Sequence, residues 1–296
     1  MTRKIEINDK QTVGSPESHT GGWQGGNGEA RGEPGLPTKD SLADELTSYA
    51  GAILGMDNAV IKFEGSGSIS GNKVTDCSTA GSSRTGIFLQ GSGQLTFILQ
   101  ADNDIYTIQD DIADEAGAVR SVKTTSVTGN TGLDGLSTDG GDGVWNIEQT
   151  GGGKLVINGQ NLLSGDMTIE GILDLSNCSN TSGSNSFKKL TLENGATLLL
   201  TPASAVTGLK VTSLSLLDNA TIHLNGNSRI VITENVSFPP DEFSITLDST
   251  GFELNKPVQV ITWSEPLSTI PTINVNKGYQ CSVSADMKSI NITKIS

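Results

Sequence analysis

Asp110 and Asp111 are the residues of this chain best typed for acid–base chemistry. Breaking a glycosidic bond takes two carboxylates that face one cleft, one as general acid and the other as base or nucleophile. Successive residues of a strand point to opposite faces, so neighbouring aspartates in a strand are split between two surfaces. Their spacing therefore argues against a working pair. Asp139 and Asp142, in the glycine-rich stretch 129–143, offer the carboxylate oxygens that calcium takes. Calcium needs about six to eight oxygens gathered at a fixed spacing, which this stretch does not supply, and it reads as a flexible Gly–Asp turn. The acidic run Asp102, Asp104, Asp110, Asp111, Asp114 and Glu115 reads as a solvated edge.

The remaining reactive types are sparse. Cys77, Cys178 and Cys281 lie about a hundred residues apart without any CxxC, and the histidines are His19 and His223. That set makes neither a zinc site nor a disulfide framework, and a nucleophilic thiol would need a base beside it. No metal or other cofactor is expected. The cysteines read as small core residues or surface thiols.

The net charge of −14 excludes a nucleic-acid partner, which requires basic stripes against phosphate, and it disfavours anionic membrane surfaces. No stretch is long and apolar enough to span a membrane, so no insertion by this chain is expected. The N-terminus, MTRKIEINDKQTVG, has no apolar signal region. Export is thus expected by a leaderless route or as a piece of a larger chain. Hydrophobic residues make up 34% and aromatics 4%, with 36 glycines among 296 residues. Such a chain suits thin stacked coils better than a thick globular core.

Three segments follow from the pattern. Residues 1–39 are rich in Gly, Glu, Ser and Pro, with little apolar surface to offset ordering, and are expected to be a disordered tail. Over 40–55, Leu42, Leu46, Tyr49 and Ile53 recur at helical spacing behind Asp40 or Ser41, which predicts a short amphipathic helix capping the coils. From 56 to 296, short alternating strands bounded by Gly, Asn, Asp and Ser predict an all-β domain.

A repeat, clearest over 151–225, decides between a sandwich and a solenoid. Leu190, Leu192, Leu198 and Leu200 align with Leu214, Leu216, Ile222 and Leu224 at a shift of 24. One period earlier, Met167 and Ile169, then Gly171, Leu173 and Leu175, align at a shift of 23 with a two-residue shortening. Residues two apart share a strand face, so the aliphatic pairs point inward. Asn194-Gly195 and Asp218-Asn219 supply corners that tolerate positive φ, and stacked Asn or Asp there can form a side-chain ladder. His223, between Ile222 and Leu224, falls on the outer face, and Trp145 reads as packed at a coil corner.

The segment carrying Leu155, Ile157, Gly159, Asn161, Leu163, Gly165, Met167, Ile169, Gly171, Leu173 and Leu175 resembles the passenger-associated transport repeat, also called the autotransporter-associated β-strand repeat. That family reads approximately G-x-L-x-L-x-G-x-N-x-Y-x-G-x-T-x-I-x-x-G-x-L-x-L. The present segment keeps the glycines, Asn161 and the paired aliphatics, with Leu163 at the Tyr position and Met167 at a Thr position. The resemblance implies a right-handed parallel β-helix displayed outside a bacterial cell.

The expected function is structural or adhesive: a monomeric secreted or cell-surface solenoid that meets a surface, glycan or protein partner without catalysis. β-helices also carry polysaccharide lyases and hydrolases. For that alternative Asp110-Asp111 and Arg229-Ile-Val231 are partial echoes of such enzymes' motifs, while their GHG is missing. A third reading is a folding or assembly module of a larger exported protein.

Overall fold

A computed structural model of the chain describes residues 5–8, 17–19, 22–24, 48–50, 59–71, 73–76, 83–85, 87–89, 91–114, 116–117, 143–177, 185–202, 207–239 and 242–296. The elements of the described residues are strands, and most of them pair in parallel. The chain divides into two compact units, one of 1–98, 106–147 and 158–165, the other of 99–105, 148–157 and 166–296.

In the first unit, Ala59–Glu64 pairs in parallel with Gly93–Ile98, placing Ile61 beside Leu95 and Phe63 beside Phe97. Ala59, Ile61 and Phe63 are buried while Glu64 is exposed, the alternation of a sheet with one dry face. A second pairing sets Gly67 beside Tyr106 and Ile69 beside Ile108, also in parallel. The Phe63, Phe97 and Tyr106 rings form a triangle with centroids 5.0 to 5.2 Å apart. Each such contact adds about 0.5–1.5 kcal/mol to the area term. Gly67 makes room for it, because a Cβ there would stand 2.6 Å from the Tyr106 ring. A separate three-stranded parallel sheet joins Ile87–Leu89, Ile112–Asp114 and Asn161–Leu162.

Strands also stand where the sequence predicts a tail and a helix. Ile5–Asn8 lies antiparallel to Ala59–Glu64, and Gly22–Gln24, itself paired with Glu17–His19, lies parallel to Gly67–Ser70. Partner strands there supply backbone hydrogen bonds that the composition of 1–39 does not reveal. Ser48–Ala50 pairs antiparallel with Lys73–Asp76, which corrects the helical assignment at those residues. A stripe of about three turns is marginal as a helix by itself, and strand pairing overrides its propensity. The rest of 1–39 and of 40–55 lies outside the described residues.

In the second unit, as far as Thr272–Val275, the chain alternates between two sheets. Asp166–Ile169, Asn185–Leu192, Thr207–Leu216, Ser228–Ser237 and Pro257–Trp263 go to one. Lys154–Ile157, Ile172–Asp174, Thr197–Leu200, Thr221–Leu224, Glu242–Leu247 and Thr272–Val275 go to the other. The register is the one that the sequence repeat carries. Leu190 pairs with Leu214, Leu192 with Leu216, Leu198 with Ile222 and Leu200 with Leu224. Met167 pairs with Leu190 and Leu173 with Leu198, so the two-residue shortening is taken up at the corner between them.

The corners follow the turn chemistry. Gly195 has φ of 79° and Asn219 of 61°, a region that glycine enters freely and asparagine tolerates. Asn219 Nδ2 donates to Asn194 Oδ1 at 3.2 Å, a side-chain rung between successive corners. The parallel pattern ends with Ser289–Lys294, antiparallel to both Pro257–Trp263 and Tyr279–Val283.

Candidate functional site

Asp110 and Asp111 sit in the turn between the strands Ile105–Ile108 and Ile112–Asp114. Their carboxylates engage different backbone amides. Asp110 Oδ1 accepts from the Gly71 N–H at 2.9 Å, and Asp111 Oδ1 accepts from the Gln160 N–H at 2.6 Å. The Asp111 carbonyl also accepts from the Ile87 N–H at 2.7 Å. Main chain passes so close that a Cβ at Gly159 would lie 2.0 Å from the Asp110 carbonyl oxygen. The pair therefore works as a fastener between neighbouring passes of the chain.

Asp114 corrects the reading of the acidic run as a solvated edge. It is fully buried, as are Ile112 and Ala113, because Ile112–Asp114 is the central strand of its three-stranded sheet. Four donors converge on its carboxylate. Oδ1 accepts from the Gly117 N–H at 2.7 Å. Oδ2 accepts from the Trp145 N–H at 3.0 Å, the Ser164 N–H at 2.7 Å and the Ser164 hydroxyl at 2.9 Å. Burial pushes this carboxyl above its ordinary range, and the hydrogen bonds from Trp145, Ser164 and Gly117 pull it back. Among the described residues its partners are backbone amides and a hydroxyl, so the carboxyl is a clasp fixed by dipoles. Of the other acidic positions, Asp102 is exposed and Asp104 accepts from the Ala101 N–H at 3.0 Å.

A buried amide does comparable work in the second unit. Gln149 Nε2 donates to the Gly151 and Gly153 carbonyls at 2.8 and 3.2 Å, and Oε1 accepts from the Gly171 N–H at 2.8 Å. A Cβ at Gly171 would stand 2.4 Å from the Gly153 oxygen, so this approach needs glycine. Farther along, the buried Ser228 hydroxyl donates to the Leu200 carbonyl, and Asn225 Nδ2 donates to the Pro202 carbonyl at 2.9 Å.

Sequence reasoning did not single out Gln149, Ser164 or Ser228, and gave Asp114 the opposite environment. Asp114 follows the apolar Ile112 and Ala113 but is flanked by Asp110, Asp111 and Glu115, so its local sequence reads as solvated.

The repeat residues Leu155, Ile157, Ile169, Leu173, Leu175, Leu190, Leu192, Leu198, Leu200, Leu214, Leu216, Ile222 and Leu224 are each no more than 2% exposed. Asn161 is fully buried, and Gly165 lies where a Cβ would stand 2.1 Å from the Trp145 carbonyl oxygen. Trp145 is itself fully buried, its indole packed over Gly93. His223 is half-buried between the buried Ile222 and Leu224. Cys281 is half-buried, and burial pushes its thiol up to about 11, so it stays protonated at neutral pH. Asp139, Asp142, Cys77 and Cys178 lie outside the described residues. Among the described residues no cluster of His, Cys, Asp and Glu is gathered to hold a metal ion.

No family model matches the chain, and neither a curated protein nor a solved structure matches it.

Proposed function

We propose that the chain is a right-handed parallel β-helix of the bacterial secreted or cell-surface type, similar to autotransporter passengers. In this reading its outer faces and loops serve a structural and adhesive role toward a glycan or protein partner, without catalysis. The observation that carries the reading is the in-register column of hydroxyl side chains on the second unit. Thr168, Thr191, Ser215 and Ser237 occupy successive register positions on one sheet, and Thr197, Thr221 and Ser244 do so on the other. Strands stack at about 4.8 Å, so each column repeats a donor and acceptor at that interval. An extended partner can then be held by many individually weak bonds, the mode that solenoid surfaces favour.

The aspartates that could have served hydrolysis are spent on backbone amides, which favours the binding class over the enzyme class. The test is a panel of bacterial and host surface glycans and proteins, read by biolayer interferometry on the full chain. Binding that falls at least tenfold in Thr191→Lys with Ser215→Lys supports the reading. Release of reducing ends from acidic or neutral glycans, lost in Asp110→Ala or Asp111→Ala, would replace it with a polysaccharide-active enzyme.

A further inference from the structure

An asparagine followed by glycine carries a reaction of its own. With no side chain to shield it, the glycine nitrogen can attack the side-chain carbonyl carbon of the asparagine before it, and sharing one chain makes that attack intramolecular. Asn158-Gly159, Asn194-Gly195 and Asn225-Gly226 are such pairs among the described residues. The fold treats them differently.

Two of the pairs are locked. Gly159 is buried where a Cβ would stand 2.0 Å from the Asp110 carbonyl oxygen, and Asn158 Nδ2 donates to Gln109 Oε1 at 2.9 Å. Asn225 is 1% exposed, with Nδ2 donating to the Pro202 carbonyl and Oδ1 accepting from the Asn227 N–H, both at 2.9 Å. Gly226 beside it is buried, its N–H donating to the Thr250 carbonyl at 2.8 Å, and a Cβ there would meet the Gly251 backbone at 2.2 Å. Closing a ring requires the peptide between the two residues to turn, and main chain blocks that turn at both places.

Asn194 and Gly195 are exposed at their corner, and a Cβ on Gly195 would meet nothing within 4 Å. The Gly195 N–H donates to the Asp218 carbonyl at 3.0 Å, so this bond must open first, and opening at an exposed corner takes far less than global unfolding. Asn219 Nδ2 donates to Asn194 Oδ1 at 3.2 Å, the oxygen on which negative charge develops during attack.

We infer that Asn194-Gly195 is a self-modification site, at which Asn194 loses its amide nitrogen while the chain is folded. The Gly195 nitrogen gives its proton to hydroxide and bonds to Asn194 Cγ. The Cγ–Nδ2 bond breaks, and the nitrogen leaves as ammonia with a proton from water. Water then opens the cyclic imide at one of its two carbonyls, leaving aspartate or isoaspartate, with nothing oxidised or reduced. Either product sets a new carboxylate at a corner whose aligned counterpart already carries Asp218. The inference does not depend on what the outer faces bind.

Peptide mapping of the full chain after long incubation at mildly alkaline pH, with digestion at acid pH to stop conversion during handling, tests it. In the folded chain Asn194 should convert at least about tenfold faster than Asn158 or Asn225, and in urea the three rates should converge. Ion exchange should show an acidic species accumulating in the wild type but not in Asn194→Gln, whose longer side chain does not close the five-membered ring. An Asn194 that stays intact in the folded chain, or converts no faster than Asn158 or Asn225, overturns the inference.

Discussion

Ser164 donates two hydrogen bonds to Asp114, from its backbone N–H and from its hydroxyl, across fifty residues of sequence. With the Trp145 and Gly117 amides, they fix three distant passes of the first unit at one carboxylate. Asp114→Ala strands these donors in a dry interior and should cost about 3 kcal/mol or more in urea unfolding.

Asp114 also predicts a pH dependence. Burial sets its folded pKa above the unfolded value, so the native chain binds this proton more tightly than the unfolded chain does. The associated stability is fully present below the unfolded pKa and is lost as pH rises through the folded one. Asparagine does not titrate. The unfolding free energy of the wild type minus that of Asp114→Asn should therefore fall as pH rises across the acid carboxylate range, then level off toward neutrality. Urea melts from about pH 3 to pH 8 would show it; a difference that climbs with pH would contradict the sign.

Two glycines should respond differently to the same change. A Cβ at Gly165 meets the Trp145 carbonyl, whereas one at Gly195 meets nothing within 4 Å and suffers only from its φ of 79°. Gly165→Ala should cost about 3 kcal/mol, since main chain must move. Gly195→Ala should cost about 1–2 kcal/mol, the strain of a left-handed residue with a side chain. Equal losses in chemical denaturation would refute the distinction.

Inside and outside positions of the repeat should separate cleanly. Leu198→Ala removes a fully buried side chain stacked on Ile222 and should destabilise by about 2–5 kcal/mol. Thr191→Ala, on the outer face, should stay within about 0.5 kcal/mol. Midpoints of urea unfolding at fixed slope would measure both.

Cys281 should be slow to alkylate. Its thiol is held up near 11 by burial, so thiolate is scarce at pH 7 and grows only as pH approaches that value. Peptide mapping after iodoacetamide treatment of the native chain should find it less modified than a free thiol reference at pH 8. Rapid modification there would show that burial does not control this thiol.

The register of the second unit was legible because repetition wrote it twice. Leu190 and Leu214 announce their pairing by sitting in matching words of sequence, and Gly195 and Asn219 mark the corners by residue type alone. Asp114 and Gln149 carry no such mark. The burial of Asp114 comes from strands around positions 87 and 161, and its hydrogen bonds from residues 117, 145 and 164, separations that no local period encodes. At Ser48–Ala50 the local signal pointed to a helix, and a partner strand at 73–76 outweighed it.

Between Val211 and Ser213 the pairing with Ser228–Ser237 slips by one residue, from Ile232 to Asn235, through a bulge. An added residue there is confined to one point within the paired strands, and pairing resumes at Ser213 and Asn235. Change in chain length can therefore accumulate in such a lineage one residue at a time, with the inward columns on either side left intact. Ancestral copies of a repeat could drift from identical spacing, as the 23- and 24-residue intervals have, and still stack.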